Sequence, residues 1–339
     1  MHRRRRISHA GLALVCLPAW AWAQPASSVA AGEAPAGKDL LGWIGRLQKA
    51  AAARSYQGTI AYSVGGTVSS ARLQHHGDGR DRYERLEILD GRARLQYRHN
   101  DQTVTVWPGN RLAVLEPADP VPAFPAVPDL HGLRPQDHYE LRPVGAERVA
   151  GREADVLLVA PKDAQRHAHR WWSDRETGLL LRSDILGPQG DILESAAFTD
   201  LRLLPRPQPE AVISGMRKLE GLRIVRAQPV KVQLDAEGWQ LSRLVSGFQQ
   251  RHCSRRPLDA AADGPPTEVL QSVYSDGLAH VSVFIEPFDA TRHRQGMRTT
   301  MGATNTVMHR RADAWITIVG EVPMATVLQF DTALERRRG

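Results

Sequence analysis

The sequence predicts a mainly β first domain, an antiparallel sheet curled into a half-barrel with a helical lid, followed by a smaller α+β domain. Three observations predict it. From Tyr56 onward, apolar and polar residues alternate with a period of two through about ten segments joined by short turn signals. One amphipathic helical pattern precedes them. Leu204-Pro205-Arg206-Pro207-Gln208-Pro209 then breaks the series, and a shorter set of strand patterns follows it and ends in a helix. A chain of 339 residues is long enough for two domains.

The chain begins with an export pattern. Arg3-Arg4-Arg5-Arg6 precedes a mostly apolar, acid-free run from Ile7 to Trp22, and Ala21-Trp22-Ala23 offers a small-residue cleavage site before Gln24. That order predicts a secretory signal peptide over 1–23. The apolar run is shorter than the about 20 residues that a membrane-spanning helix needs. Cys16 lies inside the signal behind Val15, without the small residue that lipidation requires, so it is discarded. Cys253 is then the remaining cysteine, and one thiol cannot close an internal disulfide. Removing the signal leaves 40 basic against 37 acidic residues, a net charge of +3 instead of the whole chain's +7. The arginines are spread among acids. A nucleic-acid footprint would be a basic patch or stripe, so no nucleic-acid partner is expected.

Residues 24–38, rich in Ala, Pro, Ser and Gly, read as a flexible leader. Asp39 caps a helix from Leu40 to Arg54, with Leu40, Leu41, Ile44 and Leu47 at helical spacing. Strands are expected at 56–64 and 67–75 around the Gly65-Gly66 turn, and at 82–89 and 92–98 around Asp90-Gly91. Further strands are expected at 103–107, 111–115, 138–144, 148–152, 154–159, 169–174, 179–186 and 192–204. A Pro-rich loop spans 117–128. Consecutive hairpins make a meander, and such a sheet must curl to bury one face. Such a shape can enclose an apolar cavity, and Tyr56, Ile60, Tyr62, Trp107 and Trp171 are its candidate lipid-facing residues, with packing in the core as the first reading of the β1 residues and of the tryptophan pair. On a strand, Trp171 and Trp172 point to opposite faces, one into the core and one outward. The domains are read as 39–206 and 230–335, with a linker over 207–229. Second-domain strands are expected at 238–244, 271–275, 280–285 and 315–319, with a helix over 325–334. The stretch 255–266 reads as a loose loop, and the basic tail 336–339 as frayed.

Chemistry-bearing motifs are sparse. The chain has no G-x-S-x-G elbow, no H-E-x-x-H and no phosphate-binding glycine loop. His167 and His169 share a strand face, but two imidazoles do not complete a metal site. His75 and His76 point to opposite faces of a strand and cannot easily share one ion. Ser275-Asp276-Gly277 with His280 nearby resembles a nucleophile set in composition only; Asp-Gly reads first as a turn. No catalytic group, metal or cofactor is expected.

Several stretches together resemble the RseB/MucB family. They are Ser55-Tyr56-Gln57-Gly58-Thr59, Leu89-Asp90-Gly91, Arg148-Val149-Ala150-Gly151-Arg152, Trp171-Trp172-Ser173-Asp174, Tyr274-Ser275-Asp276-Gly277-Leu278-Ala279, Val281 to Pro287, and Val319-Gly320-Glu321-Val322-Pro323. The similarity is ordered and covers nearly all of the mature chain. It implies a first domain similar to the lipoprotein carriers LolA and LolB, an unclosed barrel with a helical plug. It also implies a periplasmic, non-enzymatic regulator of an envelope-stress sigma factor. Such a protein binds the periplasmic segment of an RseA/MucA-like anti-sigma factor, shields it from regulated proteolysis, and is released by lipopolysaccharide or another lipid. Tyr274, Ser275, Asp276, Phe284 and Glu286, in the most specific stretch, are the candidate anti-sigma-factor contacts. Val245-Ser246 before Gly247-Phe248, and Gln165-Arg166-His167, depart from the family pattern. A periplasmic lipid or lipoprotein carrier is the alternative reading, and a homo-oligomer is compatible with the sequence.

Overall fold

The computed structural model describes residues 39–118, 124–125, 130, 132–257, 268–293 and 295–337. The signal peptide, the leader, most of the Pro-rich and 255–266 loops and the end of the basic tail lie outside the described residues.

The first helix forms where the pattern places it. Asp39 caps α1 (Leu40–Ala53) by accepting hydrogen bonds from the backbone N–H groups of Leu41 and Gly42 at 3.0 and 3.2 Å. Its apolar stripe of Leu40, Trp43, Ile44, Leu47 and Ala50 is buried.

A 12-stranded sheet follows. Its strands are β1 (Ser55–Val64), β2 (Thr67–Gly77), β3 (Arg82–Ile88), β4 (Arg94–His99), β5 (Gln102–Trp107), β6 (Leu112–Pro117), β7 (Tyr139–Val149), β8 (Arg152–Pro161), β9 (Ala168–Asp174), β10 (Leu180–Leu186), β11 (Ile192–Leu204) and β12 (Arg223–Arg226). Their spatial order is β12-β6-β5-β4-β3-β2-β1-β11-β10-β9-β8-β7, antiparallel except for the β12–β6 pair. The sheet is open. β1 and β11 pair at its centre, so β6 and β7 lie near opposite margins. The chain between them carries Phe124, which packs on Phe198 of the central β11 at 5.5 Å. The Tyr62 hydroxyl donates to the Phe124 carbonyl at 3.4 Å. Phe124 therefore lies over the sheet face that holds these aromatic residues.

Two expectations within this sheet are corrected. Segments 138–144 and 148–152 were expected as two strands, but residues 139–149 form the single strand β7, whose register shifts between Pro143 and Gly145. Gly145 at φ +140° accommodates the bulge, and the actual turn falls at Ala150-Gly151, both with positive φ. Trp172, expected outside if Trp171 was inside, is buried as well. Its indole N–H donates to Glu147 at 2.9 Å, and the Arg182 guanidinium lies over the ring at 4.3 Å.

The expected linker is mostly docked structure. Val212 of α3 (Glu210–Arg217), which follows the short α2 (Pro135–His138), is fully buried against Tyr97, Val104, Val106 and Ala113. Gly215 lets the helix approach, because a Cβ there would strike the Tyr97 ring. β12 extends the sheet, and Ala227 packs on Leu112 and Val114. Chain that is docked on neither domain shrinks to Gln228-Pro229, since Val230 already pairs with the second domain. The linker pattern was set by prolines, and the apolar Val212 and Val225 that dock it are too few to give a period.

The second sheet runs β13-β15-β16-β17-β20-β19-β18, from β13 (Val230–Lys231), β15 (Gln249–Pro257), β16 (Glu268–Ser275), β17 (His280–Pro287), β18 (Met297–Met301), β19 (Thr304–Arg311) and β20 (Ala314–Gly320). β14 (Trp239–Leu241) pairs separately with β21 (Leu334–Arg336). α4 (Met324–Ala333) lays Val327 and Phe330 on a core of Val281, Val283, Ile316 and Ile318. Five of these strands were not expected: the short β13 and β21, the latter where the helix end and the frayed tail were expected, and β15, β18 and β19. β15, β18 and β19 are rich in Arg, Gln and Thr, and β18 is exposed along its whole length, so they carry little apolar alternation.

Candidate functional site

Register places the five candidate lipid-facing residues on one face of the first sheet. Tyr56, Ile60 and Tyr62 alternate on β1 and stand opposite His75, Ala71 and Ser69 of β2. In the same rows, Tyr62 is followed through Ala196 and Ser183 to Trp171. On the other side, the row Leu73–Leu86–Gln96–Thr105–Val114 carries the face to β6, and Trp107 sits two residues from Thr105 opposite Leu112. α1 fills one end of this face, where Leu40, Trp43, Ile44 and Leu47 pack on Trp171, Leu157 and Leu180. Tyr56 and Ile60 are buried at the centre. Tyr62 and Trp107 are half-buried.

A charged row borders the apolar one. His75 stacks on Tyr56 at 4.7 Å and its Nδ1 lies 3.0 Å from Glu84 Oε1. Burial opposes ionisation of Glu84, but His75, Arg82 and Arg98 outweigh it and hold the carboxyl below its ordinary value. Burial pushes the Tyr62 phenol up to about 12 and that of Tyr56 further. The face therefore offers apolar area edged by fixed charge, a lining suited to an amphiphile.

The five candidate partner contacts do not form one patch. Tyr274 is buried against Phe330, with the rings 5.2 Å apart. The Ser275 hydroxyl donates to the Ala279 carbonyl at 2.8 Å and accepts from Gly277 N–H at 3.0 Å, closing the β16–β17 turn and occupying the group that a nucleophile would need free. Asp276 is buried at the junction of the two domains. Phe284 and Glu286 point to the sheet face opposite the α4 core, both half-buried. The Glu286 carboxylate pairs with His293 at 3.4 Å and Arg292 at 3.5 Å. Strand parity and turn position separate these five residues.

Arg166, passed over in the sequence except as a departure from a family pattern, is the side chain on which the junction converges. It lies in the turn between β8 and β9, with its guanidinium fully buried. Its Nε donates to Asp276 Oδ2 at 2.5 Å, Nη1 to Asp163 at 2.6 Å and Nη2 to the Ser246 carbonyl at 2.5 Å. The Tyr139 hydroxyl donates to the same Asp276 oxygen at 3.0 Å. The other Asp276 oxygen accepts from Leu278 and Ala279 N–H. Nothing in the local sequence marks Arg166 as a junction residue, because its second-domain partners lie 80 and 110 residues away.

An open antiparallel sheet with a helix on its apolar face, joined through a polar junction to a small α+β domain, defines a two-domain binding protein. Comparison with known proteins narrows this. The model of the MucB/RseB N-terminal domain matches residues 39–216, and that of the MucB/RseB C-terminal domain matches 233–335. The chain is 33% identical to the sigma factor AlgU regulatory protein MucB of Pseudomonas aeruginosa over 303 residues, covering 85% of this chain and 88% of that protein. It is 28% identical to the sigma-E factor regulatory protein RseB of Escherichia coli K12, covering 76% and 79%. The crystal structure of MucB in complex with MucA(peri) superposes with a TM-score of 0.66 at 30% identity, covering 89% of this chain and all of that one. The chain belongs to the MucB/RseB family.

Proposed function

We propose that this protein is a periplasmic, non-enzymatic regulator of a stress-responsive sigma factor. It binds the periplasmic segment of a MucA/RseA-like anti-sigma factor, protects that segment from proteolysis, and lets go when lipopolysaccharide or a related lipid binds. The observation that carries this reading is the match of both domains to relatives named as sigma factor regulators, one of them solved in complex with MucA(peri). The sheet face around Tyr62 and Trp107 receives acyl chain, each buried CH2 contributing about 0.8 kcal/mol. Tyr56, Ile60 and Trp171 form the floor beneath it. Phe284 and Glu286 remain the partner contacts on the second domain, while Tyr274, Ser275 and Asp276 support them from within. Lipid displaces peptide if the two favour different conformations.

The test is calorimetric titration of the mature protein with the periplasmic segment of the same organism's anti-sigma factor, repeated with lipopolysaccharide present. Saturable binding that lipid weakens is the expected result. Tight lipid binding without any peptide binding would leave a lipid or lipoprotein carrier instead.

A further inference from the structure

The two domains meet through second-domain turns and the first turn of α4, where hydrogen bonds and ion pairs stand beside apolar contacts at Gly277 and Leu278. The β16–β17 turn brings Asp276 to Arg166 and Tyr139, and Leu278 to the cluster under α1. At the other patch, Glu194 of β11 accepts from Ala303 N–H at 2.8 Å, beside the β18–β19 turn. Between the patches, Thr326 donates to the Gln165 carbonyl at 2.8 Å. The covalent connection is short, because Gln228-Pro229 is all that separates β12 and Ala227, docked on the first domain, from β13 on the second, so it limits their separation more than their relative angle.

Arg166 is the centre of this arrangement. It is rooted in the first domain by Asp163, and its remaining donors reach two separate second-domain segments, the Asp276 turn and the Ser246 carbonyl. The guanidinium also lies over Phe248 at 5.0 Å and Tyr139 at 5.9 Å, one ring from each domain. Gly247, at φ +82°, has no room for a Cβ, which would collide with Arg166 and with the His138 ring. A junction made of ionised and hydrogen-bonded groups differs from an apolar one in that water can replace each bond on separation, so domains joined this way move relative to one another unless pinned.

We propose that Arg166 is the pin of an interdomain clasp, a positioning residue that fixes the angle between the domains and thereby presents the anti-sigma-factor surface in binding geometry. This rests on the function proposed above. The clasp works through charge pairing. Removing the guanidinium alone strands a buried Asp276 carboxylate, which is relieved by drawing the turn out to water. Removing both charges restores contact. In an Arg166→Met, Asp276→Asn pair, the asparagine oxygen still accepts from Leu278 and Ala279, and the methionine lies against Phe248 and Tyr139. Asp163, one-third exposed, is left to water.

Double electron–electron resonance between spin labels at the exposed Val144 and Met297, introduced as V144C and M297C in a C253A background, reads the angle directly. The unlabelled counterparts are titrated with the anti-sigma-factor segment. The labelled parent should give one narrow distance distribution, Arg166→Met a broad one, and the double variant a narrow one again. Affinity should fall tenfold or more in Arg166→Met and recover in the double variant, with circular dichroism unchanged in all three. A narrow distribution in Arg166→Met would overturn the clasp. A broad one that the double variant fails to narrow would overturn its charge-pairing basis. A broad distribution with unaltered affinity would overturn the positioning role. If the parent protein binds no segment, the functional reading and the positioning role fail together, while the distance measurements still decide whether the clasp exists.

Discussion

Lowering the pH from 7.5 to 4.5 should destabilise the fold measurably through His169. This side chain is buried beside the junction, with its ring 6.4 Å from Tyr139 and 6.2 Å from Trp171. Burial lowers its pKa from 6.5 to about 4, partly opposed by Asp276 and reinforced by His167. The folded protein thus keeps His169 neutral where the unfolded chain protonates it. The unfolded state binds more protons between about pH 6.5 and 4, so stability is present above that window and is lost as pH falls through it. Each unit of pKa difference corresponds to about 1.4 kcal/mol, so the loss from this residue reaches about 2–3 kcal/mol at pH 4.5. His76 and His167, also lowered by burial, act in the same direction. Glu194 and Glu321, raised by burial, act in the opposite one. The assay is urea unfolding at several pH values for the wild type and for His169→Gln. The variant should show a shallower loss on acidification by about the stated amount. Equal slopes for the two proteins, or an imidazole that titrates near 6.5 by NMR, would refute the reasoning.

Two further outcomes follow from the packing. Ile44, fully buried in α1, should cost about 2–5 kcal/mol on truncation to Ala, and the emission of Trp43 on the helix and Trp171 beneath it should shift to the red. A cost below about 1 kcal/mol would mean that α1 does not seal this end of the sheet. The Cys253 thiol is buried, and its pKa is raised by that burial, so it should resist a thiol reagent in the native protein and react at the free rate in denaturant. Rapid native labelling would contradict its place on the second core.

Local signals in the sequence were enough for much of the first domain. Asp39 caps α1 through atoms two and three residues away, and Gly65-Gly66 turns β1 into β2 with both residues at positive φ. Such features depend on neighbours along the chain, so they are legible there. The alternation on β1 likewise announced that Tyr56, Ile60 and Tyr62 share a face. Their relation to Trp107 and Trp171, however, runs through the register of the intervening strands, and their different degrees of burial depend on where α1 and Phe124 come to rest. The polar strands β15, β18 and β19 escaped notice because a sheet can hold a strand by backbone hydrogen bonds with little apolar content.

The sequence by itself determined the alternation that makes this protein mostly sheet, the ends of its first helix and its division into two domains. Only the tertiary structure decided that Tyr274 faces a core while Phe284 faces away from it, that α3 and β12 belong to the first domain, and that Arg166 and Asp276 are a buried pair. The reason is physical. A charge is worth burying only when its counter-charge and hydrogen-bond partners are held in place, and here the local Asp163 is joined by Ser246 and Asp276, segments that folding alone brings to Arg166.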